Sequence, residues 1–209
     1  MTLPSRLYAI ADGGGRRDVV ELAAALLAGG VRILQLRWKD AGAGAFAAAA
    51  RECRRWTREH DALLLINDRV DVALACAADG VHLGQSDLPL GAARRLLGER
   101  RWIGVSTHDL EQARAAVAGG ADYIGFGPLF ATGTKATGYP PRGLQLLREV
   151  RRAVAVPIVA IGGIDPRSAH DAIEAGADAV ASISMLRDAA DPAAAARELL
   201  GALAEGESA

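Results

Sequence analysis

Residues 62–85 read ALLLINDRVDVALACAADGVHLGQ, and this stretch contains one full repeat of the pattern that decides the fold. The apolar run ALLLIN is followed by a polar turn, by an alanine-rich run with helical character, and by a second apolar run, GVHLGQ. We interpret these segments as a strand, a helix and a further strand joined by short links. Strands that alternate with helices in this way are expected to be parallel.

The same pattern extends along the whole chain. The predicted strands are LYAIAD from Leu7, RILQLRW from Arg32, ALLLIN from Ala62, GVHLGQ from Gly80, WIGVST from Trp102, DYIGFG from Asp122, PIVAIGG from Pro157 and AVASIS from Ala179. Between them, runs such as VVELAAALLAGG and LEQARAAVAGG have helical periodicity and end in glycine. Eight such units favour an α/β fold of the closed (β/α)8 TIM-barrel type over the alternative, an open doubly wound sheet. We predict one barrel domain over residues 1–209, with the last few residues disordered.

Composition limits the functions that fit this chain. Its 209 residues are 51% hydrophobic and 23% charged, and the formal net charge of -1 gives no general attraction to nucleic acid or to an anionic membrane. The sequence contains no signal-peptide-like run and no stretch of roughly 18 apolar residues that would span a membrane. Cys53 and Cys76 match no metal-binding spacing, and we expect buried free thiols, which suit a reducing compartment. We therefore expect a cytoplasmic protein in which any affinity for anions comes from local clusters of charge.

Polar residues follow nearly every predicted strand. In a closed barrel these strand ends meet at one mouth, where TIM-barrel active sites lie. The residues are Gln35, Arg37 and Lys39, Asn67 and Asp68, Gln85 and Asp87, Ser106, Thr107 and His108, Thr132, Thr134 and Lys135, Gly162 and Gly163, and Ser182 and Ser184. Any one of them fits an ordinary surface loop, but together they indicate a functional site.

The residue types at these strand ends indicate phosphate chemistry. Arg37, Lys39 and Lys135 are cationic donors for a phosphate-rich substrate. Asp68 and Asp87 are hard carboxylates suited to a Mg²⁺ ion that bridges diphosphate oxygens, although helix capping is an alternative role for both.

A second anion site is indicated by the segments IGGI and SIS. The small residues there allow backbone N–H groups to approach a phosphate. Two anion sites in one mouth suggest two phosphorylated substrates. No nucleophile with an adjacent base can be assembled from the sequence, and His82 fits an ordinary core or barrel-lining histidine.

Seven motifs resemble the thiamine-phosphate synthase family. They occur between about Leu7 and Leu186, in this order: QLRWKD, LLINDRVDVALACAADGVHLGQSDLP, IGVSTHDLEQA, YIGFGPLFATGTK, RGL, IGGI and GADAVASIS. The resemblance implies a (β/α)8 barrel that joins hydroxymethylpyrimidine diphosphate to a thiazole phosphate. The products would be thiamine monophosphate and diphosphate.

The resemblance also implies roles for individual residues. The pyrimidine diphosphate would be held by Gln35, Leu36, Arg37, Trp38, Lys39, Asn67, Ser106 and Lys135, and the thiazole phosphate by Thr132, Gly133, Thr134, Gly163, Ile183 and Ser184. Asp68 and Asp87 would hold Mg²⁺, and Arg37, Lys39, Ser106 and Lys135 would be catalytic. The cations would stabilise charge on the leaving diphosphate while Ser106 orients the substrate. Trp38 stands where the family often has an acidic residue, and we expect it to point away from the mouth.

Two other functions compete with this interpretation. A related barrel, thiazole tautomerase, carries a histidine where this chain has Pro128 and lacks the pair seen here as Asn67 and Asp68, so both features favour the synthase. A non-catalytic barrel that binds phosphorylated ligands is disfavoured because both predicted metal carboxylates are present. We expect phosphorylated small molecules as partners, neither nucleic acid nor membrane, and outer helices that permit a homodimer.

Overall fold

The computed structural model describes residues 2–133 and 138–204, which form a closed barrel of eight parallel strands. The strands are β1 (Leu7–Asp12), β2 (Ile33–Arg37), β3 (Leu63–Asn67), β4 (Gly80–Leu83), β5 (Trp102–Thr107), β6 (Tyr123–Phe126), β7 (Ile158–Ile161) and β8 (Ala179–Ser182). Because β1 pairs with both β2 and β8, the predicted barrel is confirmed and the open sheet is excluded. The prediction of disorder at the end of the chain concerns residues 205–209, which lie outside the described residues.

Helices follow the strands in the order that the sequence pattern predicts. They are α1 (Val19–Ala28), α2 (Ala43–Glu59), α3 (Val70–Ala75), α4 (Leu90–Leu97), α5 (Leu110–Ala118), α6 (Gly143–Ala153), α7 (Pro166–Glu174), α8 (Ser184–Arg187) and α9 (Pro192–Ala204). Several begin at capping side chains that the sequence supplies. Asp18, Asp109 and Asp165 each accept backbone N–H groups from the first turn of α1, α5 and α7, respectively.

The alternation of side chains along each strand divides the core into two layers. On β2, Ile33 belongs to the cluster inside the barrel, whereas Leu34 and Leu36 pack in the larger cluster that includes the helices. Gln35 and Arg37 share the face of Ile33 and line a cavity above the inner cluster. The strand period therefore places the polar residues of β2 inside the barrel mouth.

Charged residues stabilise the opposite, N-terminal ends of the strands. Three aspartates that precede strands each accept a backbone N–H from an earlier strand and pair with an arginine of a helix. Asp79 accepts the Leu64 N–H at 2.8 Å and pairs with Arg54 at 2.7 Å. Asp122 accepts the Ile103 N–H at 2.7 Å and pairs with Arg94 at 2.7 Å. Asp178 accepts the Ile158 N–H at 2.8 Å and pairs with Arg151 at 2.8 Å. This repeated contact ties strands to helices at the end of the barrel that TIM-barrel enzymes reserve for stability.

Both cysteines are buried and free, as the sequence predicts. Burial raises the pKa of the Cys53 thiol to about 12, so this side chain behaves as a small apolar core residue. Among the helices of residues 2–133 and 138–204, none has the length and apolar character needed to cross a membrane.

Candidate active site

A cavity of about 350 Å³ opens at the C-terminal ends of the strands. Residues from every strand or from the loop after it line this cavity, including Tyr8, Gln35, Asn67, His82, Ser106, Tyr123, Ile161 and Ser182. The polar strand ends that the sequence singles out therefore converge at one place, as a barrel requires.

Most of the predicted site residues line the cavity. These are Gln35, Arg37, Lys39, Asn67, Asp68, Asp87, Ser106, Thr132, Gly163, Ile183 and Ser184. Of the other predicted residues that the structure describes, Leu36 and Trp38 pack on the opposite face of β2 against the outer core, and Gly133 does not line the cavity. Leu36 and Trp38 can therefore reach a ligand only through their backbone. Thr134 and Lys135 lie outside the described residues.

Arg37 is held by a carboxylate that the sequence pattern does not single out. Asp12, the last residue of β1, is 2% exposed and pairs with the guanidinium of Arg37. The Asp12 carboxylate also lies 3.5 Å from Arg187 Nη1 and accepts the backbone N–H of Gly14 at 2.8 Å. Asp12 and Arg37 are partners in the β1–β2 register, so the barrel itself brings them together.

Asp68 and Asp87 form an acidic pair at the cavity edge. Lys39 forms a salt bridge with Asp68, and the Asp87 carboxylate accepts the backbone N–H of Gly84 at 2.7 Å. Burial, and then contact with the Asp68 carboxyl group, raise the pKa of Asp87. The capping alternative is wrong for both aspartates, because the N-cap residues that precede α3 and α4 are Arg69 and Pro89.

The acidic pair fits a divalent cation that is only partly coordinated by protein. Mg²⁺ is commonly held by one or two carboxylates, with waters and substrate phosphates as its remaining ligands. The residues that the structure describes contain no group of three or more His, Cys, Asp or Glu side chains suited to a metal. Two neighbouring carboxylates are therefore compatible with a Mg²⁺ ion that completes its coordination with waters or a phosphate group.

A chain of hydrogen bonds crosses the floor of the cavity. Gln35 Nε2 donates to the Tyr8 hydroxyl at 2.7 Å, and the Tyr8 and Tyr123 hydroxyls lie 2.9 Å apart. Tyr123 Oη is 3.0 Å from His82 Nδ1, and His82 Nε2 is 2.9 Å from Ser106 Oγ. His82 lines the barrel, which is one of the roles that its sequence context allows. The sequence motifs do not single out Tyr8 and Tyr123. The signal that could have found them is the alternation of side chains along β1 and β6, which directs both tyrosines into the barrel.

An aromatic wall closes another side of the cavity. The rings of His108 and Tyr139 stack with their centroids 4.1 Å apart, and the Arg142 guanidinium lies 5.1 Å from the centroid of Tyr139. Gln112 Nε2 donates to the Tyr139 hydroxyl at 3.2 Å, while its Oε1 accepts the backbone N–H of His108 at 2.9 Å. The sequence places His108 among the polar strand ends but indicates no role for Tyr139, Arg142 or Gln112.

The family model described as thiamine monophosphate synthase matches residues 7–186. The chain belongs to this family. A thiamine-phosphate synthase of Moorella thermoacetica is 49% identical over 186 residues, which cover 89% of each chain. Its namesake from Methanoregula boonei is 49% identical over 195 residues, which cover 92% of this chain and 90% of the relative.

A solved structure of a similar protein has the same fold. The thiamine phosphate pyrophosphorylase from Pyrococcus furiosus superposes with a TM-score of 0.89 and is 38% identical, with 96% of each chain covered. This member of the thiamine monophosphate synthase family is accordingly a transferase built on a (β/α)8 barrel.

Proposed function

We propose that the protein is a thiamine-phosphate synthase. It transfers the hydroxymethylpyrimidine group from 4-amino-2-methyl-5-hydroxymethylpyrimidine diphosphate to the ring nitrogen of thiazole phosphate. The observation that carries the proposal is the composition of a single cavity. Its wall combines Arg37 and Lys39 with the carboxylates of Asp68 and Asp87, and it also includes the small residues Gly163 and Ser184.

The cationic side chains would act on the leaving group. The bond between the pyrimidine methylene carbon and the diphosphate oxygen breaks, and its electron pair stays on diphosphate. Arg37 and Lys39, together with Lys135 from the sequence prediction, would stabilise the negative charge that develops there. Because Asp12 already orients Arg37, this guanidinium is positioned before the substrate binds.

The substitution needs no nucleophile from the protein. Loss of diphosphate leaves a cation that the aminopyrimidine ring stabilises by resonance, and the thiazole nitrogen donates the electron pair that forms the new C–N bond. Ser106 would orient the pyrimidine, and the enclosed mouth would limit capture of the cation by water. The backbone and hydroxyl groups of Gly163 and Ser184 would hold the thiazole phosphate.

Asp68 and Asp87 are the residues that would hold Mg²⁺. When bound, Mg²⁺ supplies Lewis-acid stabilisation of the charge on diphosphate. The chain places two carboxylates and Lys39 next to each other at the cavity edge, where they would hold a diphosphate together with its metal. A cytoplasmic location and a homodimer are further predictions, which cell fractionation and the mass in solution would test.

The function is tested by product formation. Purified protein is incubated with both substrates in Mg²⁺ and in chelator, and thiamine monophosphate is quantified by chromatography. The proposal expects product in Mg²⁺ and little in chelator. A folded protein that forms no product would contradict it, and isomerisation of the thiazole without product would assign the tautomerase instead.

A further inference from the structure

The hydrogen bonds on the cavity floor form one continuous chain of five side chains. It runs from Gln35 through Tyr8, Tyr123 and His82 to Ser106, with separations of 2.7, 2.9, 3.0 and 2.9 Å. These residues belong to β2, β1, β6, β4 and β5, so the chain spans the barrel interior. Its two ends, Gln35 and Ser106, both line the cavity.

The Gln35 end determines the direction of the first two hydrogen bonds. An amide nitrogen is only a donor, so the Tyr8 hydroxyl accepts from Gln35 Nε2. Tyr8 is buried, and its hydroxyl contacts the Tyr123 hydroxyl as well. A buried hydroxyl group needs an acceptor for its hydrogen, which Tyr8 finds in Tyr123.

The same logic assigns the tautomer of His82. The Tyr123 hydroxyl accepts from Tyr8 and therefore donates its own hydrogen to His82 Nδ1. Nδ1 then carries no hydrogen, and the neutral ring carries its hydrogen on Nε2, which donates to Ser106 Oγ. Burial raises the pKa of both tyrosine hydroxyls, which keeps them protonated donors.

We propose that Tyr8, Tyr123 and His82 are positioning residues that form a one-way hydrogen-bond relay and make the Ser106 hydroxyl a donor into the cavity. Within residues 2–133 and 138–204, the hydrogen bonds of Ser106 Oγ are made with His82 alone. Its hydroxyl hydrogen therefore points to a ligand, while the carbonyl oxygen of the Gln35 amide presents an acceptor at the other end.

A donor at Ser106 and an acceptor at Gln35 suit a ring that has both hydrogen-bond acceptors and donors. An aminopyrimidine has ring nitrogens that accept and an exocyclic amino group that donates, so the two ends of the relay complement it. The choice of this ring rests on the proposed function, whereas the direction of the relay does not.

The direction is tested directly by the His82 tautomer. The intact protein is labelled with ¹⁵N in its four histidines, and His82→Gln assigns the His82 signals by their loss. Two-bond ¹⁵N–¹H correlation spectra should show an unprotonated Nδ1 and a protonated Nε2. A protonated Nδ1, with or without a proton on Nε2, would overturn the proposal. This result is independent of turnover, so it stands even if the protein makes no thiamine monophosphate.

The effect on the substrate is tested by a double-mutant cycle. Tyr123→Phe removes the hydroxyl that fixes His82, and the KM for the pyrimidine diphosphate should rise about tenfold, as expected for one lost hydrogen bond. The KM for the thiazole phosphate should stay within about twofold, which is within ordinary variation for a distant contact.

Because Tyr123 acts through Ser106, the variant that combines Tyr123→Phe with Ser106→Ala should resemble Ser106→Ala alone. Additive losses in the double variant, with both single variants folded by circular dichroism, would show that Tyr123 has only a structural role and would overturn the relay. The phenylalanine ring keeps the packing of Tyr123 in the inner core, which limits unfolding as an explanation.

Discussion

The guanidinium of Arg37 contacts the carboxylate of Asp12, and Asp12 is 2% exposed. The same carboxylate lies 3.5 Å from Arg187 Nη1, so one buried anion serves two cations. Arg37 lines the cavity, whereas Asp12 sits behind it on β1. Asp12 therefore controls where a cavity-facing positive charge is held.

Replacement of Asp12 should affect both stability and substrate binding. Asp12→Asn keeps the shape and an acceptor for the Gly14 N–H but leaves Arg37 and Arg187 without their shared counterion. We expect the free energy of unfolding to fall by about 1–3 kcal/mol, measured by urea denaturation. The KM for the pyrimidine diphosphate should rise because Arg37 loses its fixed orientation.

Asp188→Asn is the matched control, since Asp188 pairs with Arg187 at the surface. It should change the free energy of unfolding by less than about 1 kcal/mol. Equal losses in Asp12→Asn and Asp188→Asn would contradict a special role for the buried carboxylate.

The acidic pair gives a pH dependence with a definite sign. Folding raises the pKa of Asp87 from its ordinary value of 3.8, because the carboxyl is partly buried and contacts Asp68. The folded state thus holds this proton to higher pH than the unfolded state, and stability falls as pH rises from that value through the folded pKa. In the metal-free protein, Asp87→Asn should therefore resist urea better than the wild type at pH values above the folded pKa of Asp87. At pH values below the unfolded pKa, the two proteins should be similar.

Metal binding should reverse that advantage. Mg²⁺ should raise the urea midpoint of the wild type and leave that of Asp87→Asn nearly unchanged. Asp71→Asn is the control for the pH dependence. Because the Arg69 side chain lowers the pKa of Asp71, this variant should not resist urea better than the wild type at higher pH. Equal Mg²⁺ responses in the wild type and Asp87→Asn would exclude Asp87 as a ligand.

Lys135 is expected to act in turnover and not in folding. Lys135→Ala should unfold at the same urea concentration as the wild type but lose most activity, because one cation that stabilises the leaving diphosphate is gone. Lys135→Arg keeps the charge and is expected to retain more activity than the alanine variant. Full turnover in Lys135→Ala would remove this residue from the mechanism.

The inner core tolerates no side chain at Gly104. A Cβ added there would overlap the Tyr123 ring, and a shift of this ring would disturb its hydrogen bonds with Tyr8 and His82. We expect Gly104→Ala to lower the free energy of unfolding by about 1–3 kcal/mol and to raise the KM for the pyrimidine diphosphate. Gly201→Ala, at an exposed position of α9 with open space around it, should instead stabilise by about 0.5–1 kcal/mol. Similar effects of the two substitutions would contradict this packing argument.

The sequence predicts the barrel well because its signal is local. Each strand has a short apolar centre, and each helix an apolar period, so all eight units are recognisable from neighbouring residues alone. The alternation along β2 also correctly places Gln35 and Arg37 on the cavity side and Trp38 on the other.

Contacts that depend on closure of the barrel could not be predicted in this way. Tyr8 and Tyr123 are 115 residues apart, and only the arrangement of β1 and β6 around one interior brings their hydroxyls together. The pairing of Asp12 with Arg37 depends on the register of β1 and β2, which a single sequence does not specify. The predicted site therefore contains the cavity-facing ends of strands but lacks the side chains that hold them in place.

One barrel mouth should bind two phosphorylated groups at separate places. A crystal structure of the protein with thiamine monophosphate, diphosphate and Mg²⁺ tests it most directly. We predict density for diphosphate and the metal beside Asp68 and Asp87, and density for the thiamine phosphate group beside Gly163 and Ser184. Density for either anion outside this cavity, or for the metal away from both aspartates, would contradict the account.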